Sequence, residues 1–190
     1  MSQRCAWCGT DPLYVAYHDS EWGIPVHDDR KLFEMLILEG AQAGLSWITV
    51  LRKREHYRNA LKGFDWDYLS TLSDADIAVL MQNPGLVRNR LKLQSLVKNA
   101  KAAIRLRETF GSLDAYFWGF VQGRPIVNTP ARMADVPAQT PISEALSKDL
   151  KKRGMTFVGS TIIYAFMQAV GMVDDHVIGC PAKKPGRQST

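Results

Sequence analysis

The sequence predicts an all-α protein that forms one domain or two closely packed lobes. Apolar residues recur at helical spacing along most of the chain, and no segment alternates persuasively as a β-strand would. Short clusters rich in Gly, Pro, Ser, Asn and Asp separate these periodic segments. A chain of 190 residues that is 46% hydrophobic is long enough to bury a substantial core.

Two helices are predicted in the first third of the chain. The apolar stripe of residues 32–37 runs toward Ala43 at helical spacing. A second helix is predicted to begin near Ser46 and to continue through Tyr57. The residues between these two helices, 44–46, are therefore expected to form a tight connection.

Four further helices are predicted in the centre of the chain and beyond it. Ser73 resembles an N-cap and predicts a short helix that ends before residue 83. Residues 89–109 predict a long helix, and residues 113–121 and 143–153 predict two more. Residues 123–140 are rich in Pro and Thr and have no clear period, so we expect a surface connection there.

The charge and the chain ends narrow the class of protein. A net charge of +5 and a pI near 9.2 favour an anionic partner such as nucleic acid. No apolar run is long enough to span a bilayer, and the N-terminus does not resemble a secretory signal, so we expect a cytoplasmic protein with no membrane partner. Residues 183–190 are expected to form a disordered basic tail behind a structured unit of residues 1–182.

Two pairs of metal-type residues lie at opposite ends of the chain. Cys5 and His18 are near the N-terminus, and His176-x-x-x-Cys180 precedes the C-terminal tail. The spacing of the second pair would bring both side chains to one face of a helix. Four protein ligands leave no open coordination position, so a Zn²⁺ ion held by all four would be structural and would join the two ends of the chain.

The cysteine pattern leaves other interpretations open. Cys5 and Cys8 form a C-x-x-C pair that could supply two metal ligands or act in redox chemistry. They could also be ordinary buried thiols, with His18 and His176 as satisfied polar residues. A chain with three cysteines cannot pair them all, which argues against a disulfide framework.

Residues 150–171 predict a helix, a tight turn bounded by Gly154 and Gly159, and a second helix that begins at Ser160. Small residues in the turn would let a DNA phosphate approach the backbone, and the N–H groups at the start of the second helix would supply donors. Lys152 and its neighbours add positive charge for phosphate contacts. This is the layout of a helix-hairpin-helix element, although a plain helical hairpin remains the alternative.

A group of aromatic residues accompanies one acidic residue in the N-terminal third. Glu39 lies in the otherwise apolar segment 36–40, where helical spacing brings it close to the buried face. A carboxylate ringed by indole and phenol groups is a good receptor for a flat, positively charged heterocycle. The aromatic residues of this group are Trp7, Tyr14, Tyr17, Trp22 and Trp47.

The chain closely resembles the DNA-3-methyladenine glycosylase I family from about residue 5 to residue 180. The resemblance is carried by Asp-Pro-Leu-Tyr-Val-Ala-Tyr-His-Asp at 11–19, Glu-Trp-Gly-Ile-Pro at 21–25, Leu-Phe-Glu-Met-Leu at 32–36, Glu-Gly-Ala-Gln-Ala-Gly-Leu-Ser-Trp at 39–47 and Lys-Arg-Gly-Met-Thr-Phe-Val-Gly at 152–159. It implies an all-α helix-hairpin-helix glycosylase fold, a monomer, and a repair enzyme that removes 3-methyladenine from double-stranded DNA and releases the free base.

The resemblance also implies roles for particular residues. The zinc ligands would be Cys5, His18, His176 and Cys180, with Cys8 an additional thiol. The base pocket would consist of Glu39, Tyr17 and Trp47, bordered by Trp7, Tyr14 and Trp22. DNA would be contacted by Lys152, Phe157, Gly159 and Ser160, and Leu45 would fill the gap left in the base stack unless it is an ordinary core leucine.

The implied substrate suggests a mechanism. Alkylation at N3 makes adenine cationic, so the base can depart without acid catalysis, and flipping with cation–π contacts becomes the main requirement. Thr161 stands where strand-cutting relatives of the superfamily carry a lysine, so hydrolysis without strand cleavage is expected. Asp174 and Asp175 follow the second helix of the hairpin, and no role is assigned to them.

Two rival classes remain at this point. A DNA-binding helix-hairpin-helix module without enzymatic activity would explain the charge and the hairpin, but it would not need Glu39 among aromatic residues. A C-x-x-C redox protein would use Cys5 and Cys8, but the sequence shows none of the βαβ pattern that usually accompanies that motif.

Overall fold

The computed structural model describes residues 3–183, and it is predominantly α-helical. Within these residues most helices are joined by short connections, and two pairs of residues form a minimal β-sheet. In chain order the α-helices are α1 (Pro12–Ser20), α2 (Asp29–Gln42), α3 (Trp47–Ala60), α4 (Trp66–Ser70), α5 (Asp74–Leu80), α6 (Arg90–Phe110), α7 (Leu113–Gly119), α8 (Pro141–Lys152) and α9 (Ser160–Ala169). A long connection separates α7 from α8.

Helix α2 lies at the centre of the molecule. Every residue from 32 to 41 is buried, so α2 packs against neighbouring helices on all sides rather than along one stripe. It contacts α3, α6, α7 and α9, while α4 packs on α6 and α8 packs on α9. The close contact with α9 brings residues from the two ends of the chain to the same region.

Side-chain caps explain where several helices begin. Asp28 accepts a hydrogen bond of 2.8 Å from the backbone N–H of Lys31 at the start of α2. At the start of α6, Asn89 accepts one of 3.1 Å from the N–H of Lys92. Ser73 caps α5 as its sequence predicts, in a reciprocal arrangement with Asp76.

The helices predicted from periodicity are confirmed as α2, α3, α5, α6, α7 and α8, with boundaries that differ by a few residues. Two helices have no counterpart among the predictions. Helix α1 was missed because its tyrosines face a cavity and it has no regular apolar stripe, although Asp11 caps it and Pro12 opens it. Helix α4 has five residues, which is too short to show a period.

The expectation of a purely helical chain needs a small correction. Strand β1 (Ile126–Val127) pairs in parallel with strand β2 (Val173–Asp174), with Ile126 opposite Val173. Two residues cannot show an alternating pattern, so the sequence carries no signal for this pairing. The predicted surface connection 123–140 is confirmed, since none of its residues is buried.

No helix within residues 3–183 is long and apolar enough to cross a membrane.

The predicted tail, residues 183–190, falls outside the described residues except for Lys183. The Nζ atom of Lys183 donates a hydrogen bond of 2.9 Å to the carbonyl oxygen of His176, so this residue belongs to the packed C-terminal segment.

Candidate active site and metal-ligand cluster

A cavity of about 160 Å³ lies between α1, the C-terminal end of α2, the start of α3, and α9. All six residues that the sequence predicts for a base pocket line it, which brings together positions from three separate segments of the chain. The lining residues are Trp7, Tyr14, Tyr17, Trp22, Glu39, Gln42, Trp47, Met133, Ala165 and Gln168.

The aromatic walls of the cavity hold one another in place. The ring centroids of Trp7 and Trp22 are 5.0 Å apart with an interplanar angle of 66°, and those of Trp7 and Tyr14 are also 5.0 Å apart. Tyr17 and Trp47 face each other at 5.5 Å. Tilted and edge-to-face contacts at these distances are the favoured arrangements of aromatic pairs, so these side chains pack against one another around the cavity.

Glu39 is the acidic residue of the cavity. It lies in the last turn of α2 and is 4% exposed. Its Oε2 atom is buried without a hydrogen-bond partner among the described residues. Burial raises the pKa of Glu39 to about 8, and no cation among the described residues compensates the charge of the carboxylate. A cationic ligand in the cavity would favour the ionised form.

Two other buried polar atoms of the cavity also lack partners among the described residues. They are the Nε1 atoms of Trp7 and Trp47. An unsatisfied buried donor or acceptor costs roughly 1–3 kcal/mol, so such atoms are rare in folded proteins. Their convergence on one cavity indicates a site shaped for a ligand with both apolar and hydrogen-bonding surfaces.

Sequence reasoning missed four residues of the cavity. Gln42 lies three positions after Glu39 on α2, so helical spacing could have indicated it. Ala165 and Gln168 share a face of α9 for the same reason. Met133 comes from a short 3₁₀ turn in the exposed connection and carried no signal in the sequence.

Three of the four predicted metal ligands form a compact cluster. The ligand atoms of Cys5, His18 and Cys180 all lie within 4.8 Å of one another, and all three residues are buried. The Nδ1 atom of His18 lies 2.7 Å from a carboxylate oxygen of Asp19, which leaves Nε2 directed at the cysteines. A histidine ring oriented by a carboxylate in this way is the usual arrangement of a metal ligand.

His176 stands beside this cluster. Its ring centroid is 5.0 Å from that of His18, and its Nε2 atom is buried without a partner among the described residues. Its Nδ1 atom lies 2.7 Å from Asp174, which parallels the pairing of His18 with Asp19. Gly23 makes room for this ring, because a Cβ atom at Gly23 would lie 2.9 Å from it. The donor set of two thiols and two oriented imidazoles fits Zn²⁺.

The prediction that His176 and Cys180 share one face of a helix is wrong. Residues 176–180 are not helical; they form an irregular segment after β2, so the two side chains do not share a helical face. Cys8 is also buried but is not a member of the three-residue cluster, and its Sγ donates to the carbonyl oxygen of Cys5 at 3.2 Å.

The turn between α8 and α9 is anchored to α6. The side chain of Asn99 exchanges two hydrogen bonds of 3.0 Å with the backbone of Thr156. The turn also packs on α2, since a Cβ atom at Gly40 would lie 3.2 Å from the carbonyl oxygen of Phe157. Phe157 itself has a left-handed φ of 57°, and Gly154 has a φ of 95°.

The residues predicted to contact DNA lie at the end of α8, in the α8–α9 turn, at the start of α9 and in the α2–α3 connection. Gly159 is the N-cap of α9, and the hydroxyl of Ser160 donates to the side chain of Gln139 at 2.5 Å. Lys152 is exposed at the end of α8. Leu45, in the connection between α2 and α3, is 41% exposed.

The fold is that of known DNA glycosylases. A crystal structure of 3-methyladenine DNA glycosylase I superposes with a TM-score of 0.94 at 49% sequence identity and covers 96% of this chain and 100% of that chain. A structure from Staphylococcus aureus, described as the structural basis of 3-methyladenine recognition, gives a TM-score of 0.93 at 35% identity and covers 96% of this chain and 97% of that one. Fold and cavity together therefore define a glycosylase.

The sequence comparisons narrow this class to one family. The family model described as methyladenine glycosylase matches residues 7–184. The DNA-3-methyladenine glycosylase of Haemophilus influenzae is 50% identical over 183 residues, which cover 96% of this chain and 99% of that protein. DNA-3-methyladenine glycosylase 1 of Escherichia coli is 48% identical over 96% of this chain and 100% of that protein. The chain belongs to the methyladenine glycosylase family, which confirms the resemblance seen in the sequence.

Proposed function

We propose that this protein excises 3-methyladenine from alkylated double-stranded DNA by hydrolysing the N-glycosidic bond, and that it leaves an abasic site. The observation that carries the proposal is Glu39, a buried acid whose Oε2 atom has no partner among the described residues and which lies in a cavity walled by Trp and Tyr side chains. A flipped base is flat and apolar on its faces and polar at its edge, and this cavity matches all three properties.

Selection among bases follows from charge. N3-alkylated adenine in DNA is cationic, whereas unmodified adenine is neutral. Cation–π contacts with Trp47, Tyr17 and Trp7 are worth up to ~2 kcal/mol in a desolvated site and favour the cation. The cation also offsets the burial that raises the pKa of Glu39, so the carboxylate ionises and accepts a charge-assisted hydrogen bond from the base.

For the chemical step, the enzyme has to position the base and the attacking water, and it does not have to supply an acid. The alkylated base leaves as a neutral molecule, so no acid has to protonate it. The protein extrudes the nucleotide, at a cost of roughly a few kcal/mol, and binds the base tightly enough to stabilise its departure while water attacks the sugar. Glu39 recognises the base, and water attacks the sugar.

The extruded nucleotide requires contacts with the rest of the duplex. We assign phosphate binding to the α8–α9 turn, acting as a helix-hairpin-helix element. The first N–H groups of α9, at Gly159 and Ser160, have no acceptors within the helix, and Lys152 adds positive charge. Phe157 lies in the same turn. The exposed Leu45 would fill the space that the flipped base vacates.

We also propose that the protein is a monomeric unit of residues 1–182 that holds one structural zinc ion. Cys5, His18, His176 and Cys180 would hold the ion, and the Nε2 atom of His176, which is buried without a partner among the described residues, supports a fourth ligand. Four protein ligands would close the coordination sphere, so the ion would stabilise the fold and would not contact the base.

Excision of the free base tests this function directly. The protein is incubated with methylated duplex DNA, and the released bases are separated by chromatography. Release of 3-methyladenine is expected, and DNA binding without release would favour the alternative of a binding module. Glu39→Gln is the informative variant, and Glu34→Gln is its matched control, because Glu34 is also buried on α2 but does not line the cavity.

A further inference from the structure

Trp22 belongs both to the base cavity and to the surroundings of the predicted metal ligands. It lines the cavity and is buried. Its ring centroid lies 4.6 Å from that of His176, in an edge-to-face arrangement at 78°. The same ring lies 6.1 Å from that of His18 and is nearly parallel to it, at 19°. One indole side chain therefore forms part of the cavity wall and also packs against two predicted ligands.

Trp7 provides a second connection of the same kind. It lines the cavity, and its ring centroid lies 5.3 Å from that of His18 and 5.0 Å from that of Trp22. Trp7 is in the short 3₁₀ helix of residues 6–8, two positions after Cys5, which is itself a predicted ligand. A shift of Cys5 would therefore be passed along the backbone to Trp7.

The backbone beside Trp22 is fitted closely to the ring of His176. A Cβ atom at Gly23 would lie 2.9 Å from Cε1 of this ring, and Gly23 has a left-handed φ of 74°, which glycine adopts without strain. The N–H of Gly23 donates to the carbonyl oxygen of Gln168 at 3.0 Å, and Gln168 also lines the cavity. Since a close-packed interior transmits strain, the orientation of His176 affects the position of Trp22.

Metal ligation would restrict the orientation of both imidazoles. The Nδ1 atoms of His18 and His176 each lie 2.7 Å from a carboxylate oxygen, and ligation through Nε2 would hold the opposite edge of each ring. A ring held at both edges is a fixed surface for an aromatic neighbour. A ring held at one edge can tilt, and the indoles packed against it then lose part of their support.

We propose that metal binding and base binding are coupled through Trp22 and Trp7, and that His18 and His176 are positioning residues for the wall of the base cavity. The imidazoles orient the indoles, and the indoles stack on the base. Such coupling is reciprocal, so each ligand raises the affinity for the other by the same factor. This inference rests on the proposed function and on the proposed zinc site, and it gives the ion a role beyond stabilisation of the fold.

The first test compares binding of free 3-methyladenine to the zinc-loaded protein and to protein from which a chelator has removed the zinc. Quenching of tryptophan fluorescence follows binding, because Trp7, Trp22 and Trp47 line the cavity. Circular dichroism establishes a temperature at which both forms are folded. Removal of zinc is expected to weaken binding by about tenfold, which lies within the usual range of coupling between two sites. Equal affinity in the two folded forms would overturn the inference.

The reciprocal test uses the metal-loaded protein, so it does not depend on the stability of the metal-free form. Co²⁺ replaces Zn²⁺, because Co²⁺ binds such sites more weakly and its visible absorption reports ligation. Equilibrium competition with a chelator gives the affinity for Co²⁺ with and without saturating 3-methyladenine. The base is expected to raise this affinity by the same factor of about tenfold. An ion that only stabilises the fold would be bound equally well in both conditions, which would contradict the coupling.

Trp22→Phe and Trp47→Phe form a matched pair of variants. Both remove an indole from the cavity wall, but among the described aromatic rings Trp47 packs against Tyr17, whereas Trp22 packs against the two histidines. Both variants should weaken binding of 3-methyladenine. Only Trp22→Phe should lower the coupling factor, from about tenfold to about threefold, since the connection through Trp7 remains. An equal loss of coupling in Trp47→Phe would show that Trp22 does not carry it.

Excision from methylated duplex DNA by the zinc-loaded protein is measured in parallel. Absence of excision refutes the proposed function. Excision together with a base affinity that does not depend on the metal refutes this inference alone. A protein that excises the base but takes up no metal refutes the proposed zinc site and this inference with it.

Discussion

The Nε2 atom of His18 lies 3.5 Å from the Sγ atom of Cys180, although 162 positions separate the two residues in the chain. Cys5 completes a buried group of three metal-type ligands at this point. The contact joins helix α1, whose residues Tyr14 and Tyr17 line the cavity, to the segment that follows β2. A metal ion held by these ligands would join the two ends of the folded chain and close a long loop.

Cys180→Ser is expected to lower the zinc content from one ion per chain to nearly none. Loss of a structural metal costs several kcal/mol, which for a protein of this size corresponds to a fall in Tm on the order of 10 °C. Elemental analysis and thermal unfolding measure the two effects. Cys8→Ser is the matched control, since Cys8 is equally buried but outside the cluster. Loss of zinc in the Cys8 variant with retention in His18→Ala would favour the C-x-x-C ligand pair instead.

Glu39→Gln is expected to reduce excision of 3-methyladenine by roughly tenfold to a hundredfold, which corresponds to the loss of one charge-assisted hydrogen bond. The near-identical shape of the two side chains should preserve the fold. Single-turnover excision assays on methylated DNA measure the effect, with circular dichroism to check folding. Full activity in this variant would exclude the assigned role of Glu39.

The raised pKa of Glu39 is expected to make the free energy of unfolding depend on pH. The folded-state pKa of about 8 exceeds the ordinary value of 4.5, so between these pH values the folded state binds more protons than the unfolded state. Stability relative to Glu39→Gln is therefore expected to fall as pH rises from 4.5 to 8, by at most roughly 5 kcal/mol, and to level off above that range. Denaturant unfolding of both proteins across this range provides the test. A difference that does not vary with pH would contradict the prediction.

Lys92 is expected to affect handling of DNA without affecting the base cavity. Its Nζ atom donates to the carbonyl oxygen of Ala41 at 2.9 Å and to that of Ala43, so it holds the connection that carries Leu45. Lys92→Met should destabilise the protein by about 1–3 kcal/mol and slow excision from duplex DNA. Binding of free 3-methyladenine should be unchanged. Lys98→Met, on the exposed face of the same helix, is the control.

The protein is expected to release the base without cutting the strand. Thr161, in the first turn of α9, carries a hydroxyl, and a hydroxyl cannot form an imine with the sugar. Borohydride should trap no covalent complex with lesion-containing DNA, and the strand should break only after alkali. A trapped adduct that maps to any lysine would show that water is not the sole nucleophile.

The sequence by itself determined those helices that are specified by interactions between neighbouring residues. The apolar period of α2 and α6 and the caps at Ser73 and Asn89 are properties of neighbouring residues, so they could be predicted without the fold. The types of the metal-ligand residues and the combination of Glu39 with aromatic residues also indicated the chemistry. These signals depend on residue identity, which the sequence states directly.

Tertiary structure alone decided how distant segments meet. The pairing of β1 with β2, the entry of Met133 into the cavity and the non-helical path from His176 to Cys180 depend on contacts between residues far apart in the chain. The same is true of the orientation of Gln168, which is set by a hydrogen bond from α9 to the segment after β2. Hydrogen bonds and burial depend on separation in space, and a local pattern carries no record of which remote group will supply the partner.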